Sequence, residues 1–256
     1  MPFFNYSNEF IVNSSINIKM KKAQNSIGKN VKIFAFPFAG GNESSFNKIF
    51  QDFNNVLVYN YPGRGDRIDE SPIIDIYQLV DDLYPKFLKE LTNLDAYYIY
   101  GHSLGAMVAF LIAKRIEEDG VLKPTKLIVT GFKPPSYPRD KFSHFVSDKF
   151  WERLTSFGGI PIEFIEEPLL QQFFEPILRC DIKLWESYNY SNSSQLSIPI
   201  DVFYGSEENI TYDEMCKWKN ESSSEVLIKE MEGGHFFILN YLEFFQNYFN
   251  DLIIIK

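Results

Sequence analysis

The pentapeptide Gly101-His102-Ser103-Leu104-Gly105 constrains this chain more than any other feature, because of what stands on either side of it. The apolar run from Tyr97 reads as a buried strand, and Met107, Val108, Phe110, Leu111 and Ile112 mark a buried helix face. A G-x-S-x-G turn between strand and helix is a nucleophile elbow. It holds its Ser in a strained backbone conformation, and only residues without a Cβ let strand and helix approach so closely on either side. Ser103 then stands proud of a sheet, and the Leu104 N–H at the start of the helix is free to stabilise an oxyanion.

The rest of the chain supplies strands and helices in alternation. Val31–Phe36, Val56–Tyr61, Lys126–Phe132, Pro199–Tyr204 and Val226–Met231 read as core strands around the elbow strand. Ser44–Phe53 reads as a short helix. A longer one starts at Asp75, with Ile76, Leu79, Val80, Leu83, Phe87 and Leu91 on one face and a kink expected at Pro85. A last helix runs through Phe236, Phe237, Leu239, Leu242, Phe245 and Phe249. Such alternation predicts an α/β fold with a mainly parallel, doubly covered sheet, whose functional groups gather at the carboxyl ends of the strands. From 136 to 194 the alternation stops in favour of aromatic residues, among them Phe142, Phe150, Trp151, Phe157, Phe164, Ile165, Phe173 and Trp185. This reads as a helical lid insertion with a small core of its own. Pro168 and Pro176 each suit a first helical turn, which predicts two consecutive helices, 168–174 and 176–188.

Residues 1–30 read as a peripheral extension, with Phe10–Val12 and Ile16–Ile18 able to form an edge strand or hairpin, and 31–256 as one domain. The net charge of −9 argues against nucleic-acid binding, since nothing offsets phosphate repulsion. There is no span of apolar residues long enough for a membrane helix and no charged-then-apolar leader. Cys180 and Cys216 lack metal-ligand spacing and read as reduced, buried thiols. A cytoplasmic, monomeric protein without metal or cofactor is the expectation.

A Ser nucleophile needs a base and a carboxylate that holds the base in its tautomer. Of the three histidines, His102 lies inside the elbow with its side chain turned away from Ser103, and His144 falls in the insertion. His235 follows a strand and two glycines and comes last in the chain, as the Ser–acid–His order of such folds requires. A second oxyanion donor is expected from Phe38 or Ala39, in the small-residue loop that ends the first strand. The loop 61–67 holds Arg64 and Arg67, either surface charges or contacts to a substrate or partner. The carboxylate must lie in the loop after Gly205, where Glu207 and Glu208 compete. Asp201 is fixed within a strand.

FAFPFAGG at 34–41, YPGRGDR at 61–67, GHSLGA at 101–106, PLLQQFFEPILRCDIKLWESY at 168–188 and GGHFFIL at 233–239 together resemble the type II thioesterases of nonribosomal peptide and polyketide synthesis, members of the α/β-hydrolase superfamily. The resemblance covers about 31–250. It implies hydrolysis of acyl groups from the phosphopantetheine arm of an acyl- or peptidyl-carrier protein, clearing stalled or misloaded units. The family pattern has an Asp where this chain has Glu208. Carrier proteins of this type are acidic, so contact with one calls for a local basic patch, and Lys133, Arg139, Lys141, Lys149 and Arg153 are the candidates. Two other readings compete: a carboxylesterase or lipase-like hydrolase of free esters, and a hydrolase-fold binding protein that has lost turnover.

Overall fold

The computed structural model describes residues 30–158, 167–191 and 194–254. Phe10–Val12, Ile16–Ile18, Phe164 and Ile165 lie outside them.

Among the described residues, six strands form one sheet in the order β2-β1-β3-β4-β5-β6, and each of these pairings is parallel. They are β1 (Val31–Phe36), β2 (Val56–Val58), β3 (Ala96–His102), β4 (Lys126–Thr130), β5 (Ile200–Gly205) and β6 (Val226–Met231). β2 stops three residues earlier than its apolar run suggests, because Tyr59-Asn60-Tyr61 leads directly into the Pro-Gly turn. The alternation of side chains along each strand builds two cores. Phe34, Ile99, Leu127, Val129, Val202 and Tyr204 face one side. Ile33, Ala35, Tyr98, Tyr100, Ile128 and Phe203 face the other.

Helices α2 (Ile76–Glu90) and α3 (Leu104–Asp119) cover the first side; α1 (Asn47–Phe50) and α7 (Leu242–Ile253) cover the second. Asp75 caps α2 by accepting the Tyr77 and Gln78 N–H groups, each at 3.0 Å. Ile76, Leu79, Val80, Leu83 and Phe87 of α2 are buried, at about 1.5–3 kcal/mol per fully buried side chain. Pro85 sits inside this unbroken helix. The carbonyl that it deprives of a partner belongs to exposed Asp81, so water can take the bond. No helix among the described residues is long and apolar enough to cross a membrane.

The insertion between β4 and β5 contributes α4 (Ser147–Thr155) and α5 (Pro168–Ser187). The predicted break at Pro176 does not occur; α5 is one helix of 20 residues. The reason is the one that applies at Pro85: Pro176 and Gln172, four residues before it, both face solvent. Phe142, Phe150, Trp151, Leu154 and Ile182 form the insertion's own core, with Ala39, Phe157 and Leu178 packed against it. The end of α5 is anchored differently. Leu184 joins the main core, and Ser187 Oγ accepts the Ile76 N–H at 2.9 Å. A short α6 (Tyr212–Met215) with a Thr211–Glu214 capping box follows β5.

Candidate active site

The elbow is as tight as its glycines require. A Cβ on Gly105 would lie 1.9 Å from the Phe36 carbonyl oxygen, and one on Gly101 would lie 2.1 Å from the Gly105 oxygen. Ser103 between them takes φ 56° and ψ −120°, a conformation that costs on the order of 1–3 kcal/mol for a residue with a side chain. Its N–H donates to Thr130 O on the adjacent strand at 2.9 Å, and its carbonyl accepts the Ala106 N–H at 2.9 Å. The strain is therefore held between the sheet and the first turn of α3.

Two loops at the carboxyl ends of β5 and β6 meet Ser103. Gly205 has the Gly233 and Gly234 carbonyl oxygens 2.5 Å from where a Cβ would stand, so the loops touch backbone to backbone. Ser206 N–H donates to Met231 O at 2.8 Å and Glu207 N–H to Gly233 O at 3.0 Å. This zipper brings His235 Nδ1 to 2.7 Å from Glu208 Oε1 and His235 Nε2 to 2.8 Å from Ser103 Oγ. A carboxylate can only accept, so Nδ1 carries the proton, and Nε2 presents its lone pair to the serine hydroxyl. Glu208 Oε2 accepts the Gly205 N–H at 2.9 Å. The neighbouring Glu207 is exposed.

His102 is fully buried behind this array, its ring 5.1 Å from that of His235, while the Ser103 hydroxyl bonds to His235. Its Nδ1 lies 2.9 Å from Thr130 Oγ1, and its Nε2 has no partner among the described residues. Burial first, and the His235 ring second, hold its pKa well below the ordinary value, so it is neutral. His144 is exposed on the insertion. Asp201 is held within the sheet by Lys126 at 2.9 Å and Tyr248 at 2.6 Å.

The loop after β1 lies against the elbow, since the Phe36 and Pro37 carbonyls both face Gly105. Among the described residues, none of the Phe38, Ala39 and Leu104 N–H groups donates a hydrogen bond. Sequence reasoning missed the residues that hold this loop. Arg64 and Asp181 form a buried two-pronged ion pair at 2.5 and 2.6 Å, and Asp181 Oδ2 also accepts the Gly40 N–H at 2.7 Å. Burial opposes the Arg64 charge, but the hydrogen bonds and charge of Asp181 outweigh it and raise the pKa. Tyr61 OH donates to Pro37 O at 2.9 Å. Arg67 is likewise structural, reaching Glu70, Asp82 and the Asn60 carbonyl. Both arginines are buried and paired with carboxylates, so neither is the exposed surface charge that was one of the two sequence readings. A lone Asp between Cys180 and Ile182, on the inward face of a helix, was the available signal for Asp181.

The five basic candidates occupy unlike places. Arg139 packs its guanidinium 4.4 Å from the Tyr188 ring centre and donates to Pro135 O, and burial pushes its pKa down to about 10. Lys133 donates to Asn209 O at 2.8 Å, and Arg153 pairs with Asp140 at 2.8 Å while stacking on Phe157. Lys141 and Lys149 are exposed, Lys149 bridging to Glu152. Cys180 and Cys216 are free thiols, half-buried rather than buried: Cys180 lies where α5 crosses the loop after β1, and Cys216 follows α6 at the surface.

A parallel sheet of this order, with a nucleophile elbow after β3 and an acid and a histidine after later strands, defines an α/β-hydrolase. Within that class the chain belongs to the thioesterase family, whose Thioesterase domain model matches residues 31–251. It is 28% identical over 244 residues to the gramicidin S biosynthesis protein GrsT of Aneurinibacillus migulanus, covering 93% of this chain and 91% of that one. It is 30% identical over 220 residues to the medium-chain S-acyl fatty acid synthase thioesterase of Homo sapiens, covering 82% and 81%. Among solved structures, YbtT, the type II thioesterase of the yersiniabactin pathway, superimposes with a TM-score of 0.76 at 26% identity, covering 89% and 93%.

Proposed function

We propose that this chain is a type II thioesterase that removes acyl groups from the phosphopantetheine arm of carrier proteins, with Ser103 as nucleophile, His235 as general base and Glu208 as the carboxylate that orients it. The observation that carries the reading is the unbroken chain of hydrogen bonds from Ser103 Oγ through His235 to Glu208, at 2.8 and 2.7 Å.

In this reading the Ser103 oxygen attacks the thioester carbonyl as His235 Nε2 takes its proton. The carbonyl oxygen becomes an oxyanion, which the Leu104 N–H and the Ala39 or Phe38 N–H stabilise. Collapse of the adduct breaks the carbon–sulfur bond, and the imidazolium returns the proton to the departing thiolate. Water then repeats the sequence on the acyl-serine, releasing the carboxylic acid and restoring the Ser103 hydroxyl. The chemistry draws on side chains and backbone alone, and we read the protein as a cytoplasmic monomer whose partner is the acyl- or peptidyl-carrier. Clearing of stalled or misloaded units would follow from hydrolysis without transfer to another acceptor.

The test compares kcat/KM for one acyl group presented as acyl-carrier protein, as acyl-CoA and as a p-nitrophenyl ester. The carrier-bound form is expected to react fastest. A preference for the free ester would favour the carboxylesterase reading instead.

A further inference from the structure

We propose that Arg64 and Asp181 are positioning residues for the oxyanion loop, and that through them the docking of helix α5 decides whether that loop holds its working shape. The inference rests on the serine-hydrolase reading above and adds a dependence on a helix of the insertion. It starts from the loop 37–41, which belongs to no strand or helix and must be held peptide by peptide.

Four hydrogen bonds pin five of its backbone groups. Pro37 O accepts from Tyr61 OH at 2.9 Å, and Phe38 O accepts from Gly41 N–H at 2.8 Å. Gly40 N–H donates to Asp181 Oδ2 at 2.7 Å, and Gly41 O accepts from Arg64 Nη1 at 3.3 Å. A trans peptide points its carbonyl and its N–H in opposite directions. Fixing Pro37 O therefore fixes the direction of the Phe38 N–H, and fixing Phe38 O fixes that of the Ala39 N–H. The two bonds on the far side of Ala39, at Gly40 and Gly41, stop the turn from rotating as a unit.

Those last two bonds come from the ion pair. Asp181 Oδ2 serves the Gly40 N–H and Arg64 Nη1 together, while Oδ1 takes Arg64 Nη2. Asp181 is fully buried and arrives on α5, 141 residues along the chain from Gly40. Leu178, a turn earlier on α5, reaches 2.9 Å from where a Gly40 Cβ would stand, and Gly40 takes φ 77°. The helix rests directly on the glycine of the loop. Lifting α5 would strip the Gly40 N–H of its acceptor and leave the Arg64 guanidinium buried without its counter-ion, so the loop relaxes whenever the helix leaves. A buried pair fits this use because it is all-or-none: one partner alone is worse than neither.

Three variants test this: the double replacement Arg64→Met with Asp181→Leu, which removes both charges at similar volume, Asp181→Asn, and Asp181→Glu. Each is measured for kcat and KM on an acyl-N-acetylcysteamine thioester, for inhibition by a trifluoromethyl ketone whose Ser103 adduct bears an oxyanion, and for active-site content by fluorophosphonate titration. The double variant is expected to fold and to lose about 10–100-fold in kcat per titrated site, with KM within about threefold. The ketone's inhibition constant is expected to rise by the same factor as kcat/KM falls, and Asp181→Glu to recover part of both. If the double variant does not fold, Asp181→Asn carries the same comparison. Unchanged kcat per site and unchanged ketone inhibition in a folded variant would overturn the inference, even if its thermal stability had dropped. Failure of the wild-type protein to be labelled at Ser103 would overturn the serine-hydrolase reading itself.

Discussion

The Glu208 carboxylate lies between two partners, with Oε1 2.7 Å from His235 Nδ1 and Oε2 2.9 Å from the Gly205 backbone nitrogen. The longer side chain that stands where the family has Asp thus reaches the imidazole and is steadied by its own strand end. Glu208→Ala or Glu208→Gln should lower kcat on a thioester by about 10³–10⁴-fold, by releasing the imidazole from its productive tautomer. Glu208→Asp should also be impaired, because the shorter arm cannot span both partners. Glu207→Ala, at an exposed position, should stay within about threefold of wild type. The reverse order of the two alanine variants would move the acid by one residue.

Gly105→Ala would drive a Cβ to 1.9 Å from the Phe36 oxygen, a backbone atom that cannot step aside. Relief requires β1 and α3 to separate, which also moves the loop after β1 off the elbow. Labelling of Ser103 by a fluorophosphonate should fall by at least about 100-fold, together with a lowered midpoint in thermal unfolding. Wild-type labelling in this variant would show that the elbow tolerates the separation and that its tightness is not needed.

His102 sets a pH dependence of stability. Its pKa in the folded chain lies well below 6.5, its ordinary value, because burial and the His235 ring disfavour the charge. Below about pH 6.5 the unfolded chain takes up a proton that the folded chain refuses, so stability falls as pH falls, down to the folded pKa. Urea unfolding at pH 7.5 and 5.5 checks it: the stability gap between wild type and His102→Asn should narrow on acidification. A gap independent of pH would contradict the assignment of a neutral buried histidine.

Carrier contact, if it uses the insertion, falls to Lys141 and Lys149. They are exposed, whereas Arg139 is packed on Tyr188 and Arg153 is engaged with Asp140 and Phe157. The Lys149–Glu152 bridge joins two exposed side chains and holds neither firmly. Reversing both lysines to Glu should raise KM for acyl-carrier protein several-fold, about 5-fold as a guide, and leave a small thioester unaffected. An equal effect on both substrates would assign these lysines to folding or to the pocket.

Much of this was legible in the chain. The elbow announces itself because its glycines are demanded by backbone contacts and not by side-chain partners, and such demands leave a fixed local spelling. Gly233, Gly234 and His235 were readable for a similar reason, since the loops after β5 and β6 touch through bare backbone. Strand ends were less so: Tyr59 and Tyr61 look like strand residues and are buried as such, yet they belong to the turn that presents Arg64. Pro176 misled because a helix can carry an interior proline where the orphaned carbonyl reaches water, and exposure is a tertiary property. The Arg64–Asp181 pair was invisible for a simpler reason. Its members lie 117 residues apart, and although Asp181 sits on the inward face of its helix, nothing local to either shows that the two will meet.

The most direct measurement is intact-protein mass spectrometry during single turnover of an acyl-carrier substrate, with peptide mapping of the adduct. The expected result is a transient mass increase equal to the acyl group, mapped to the peptide holding Ser103, that accumulates in His235→Ala or Glu208→Ala when deacylation is slowed more than acylation, and is absent in Ser103→Ala, whose turnover falls by about 10⁴-fold or more. Near-normal turnover by Ser103→Ala, or an acyl adduct on any other residue, would contradict it.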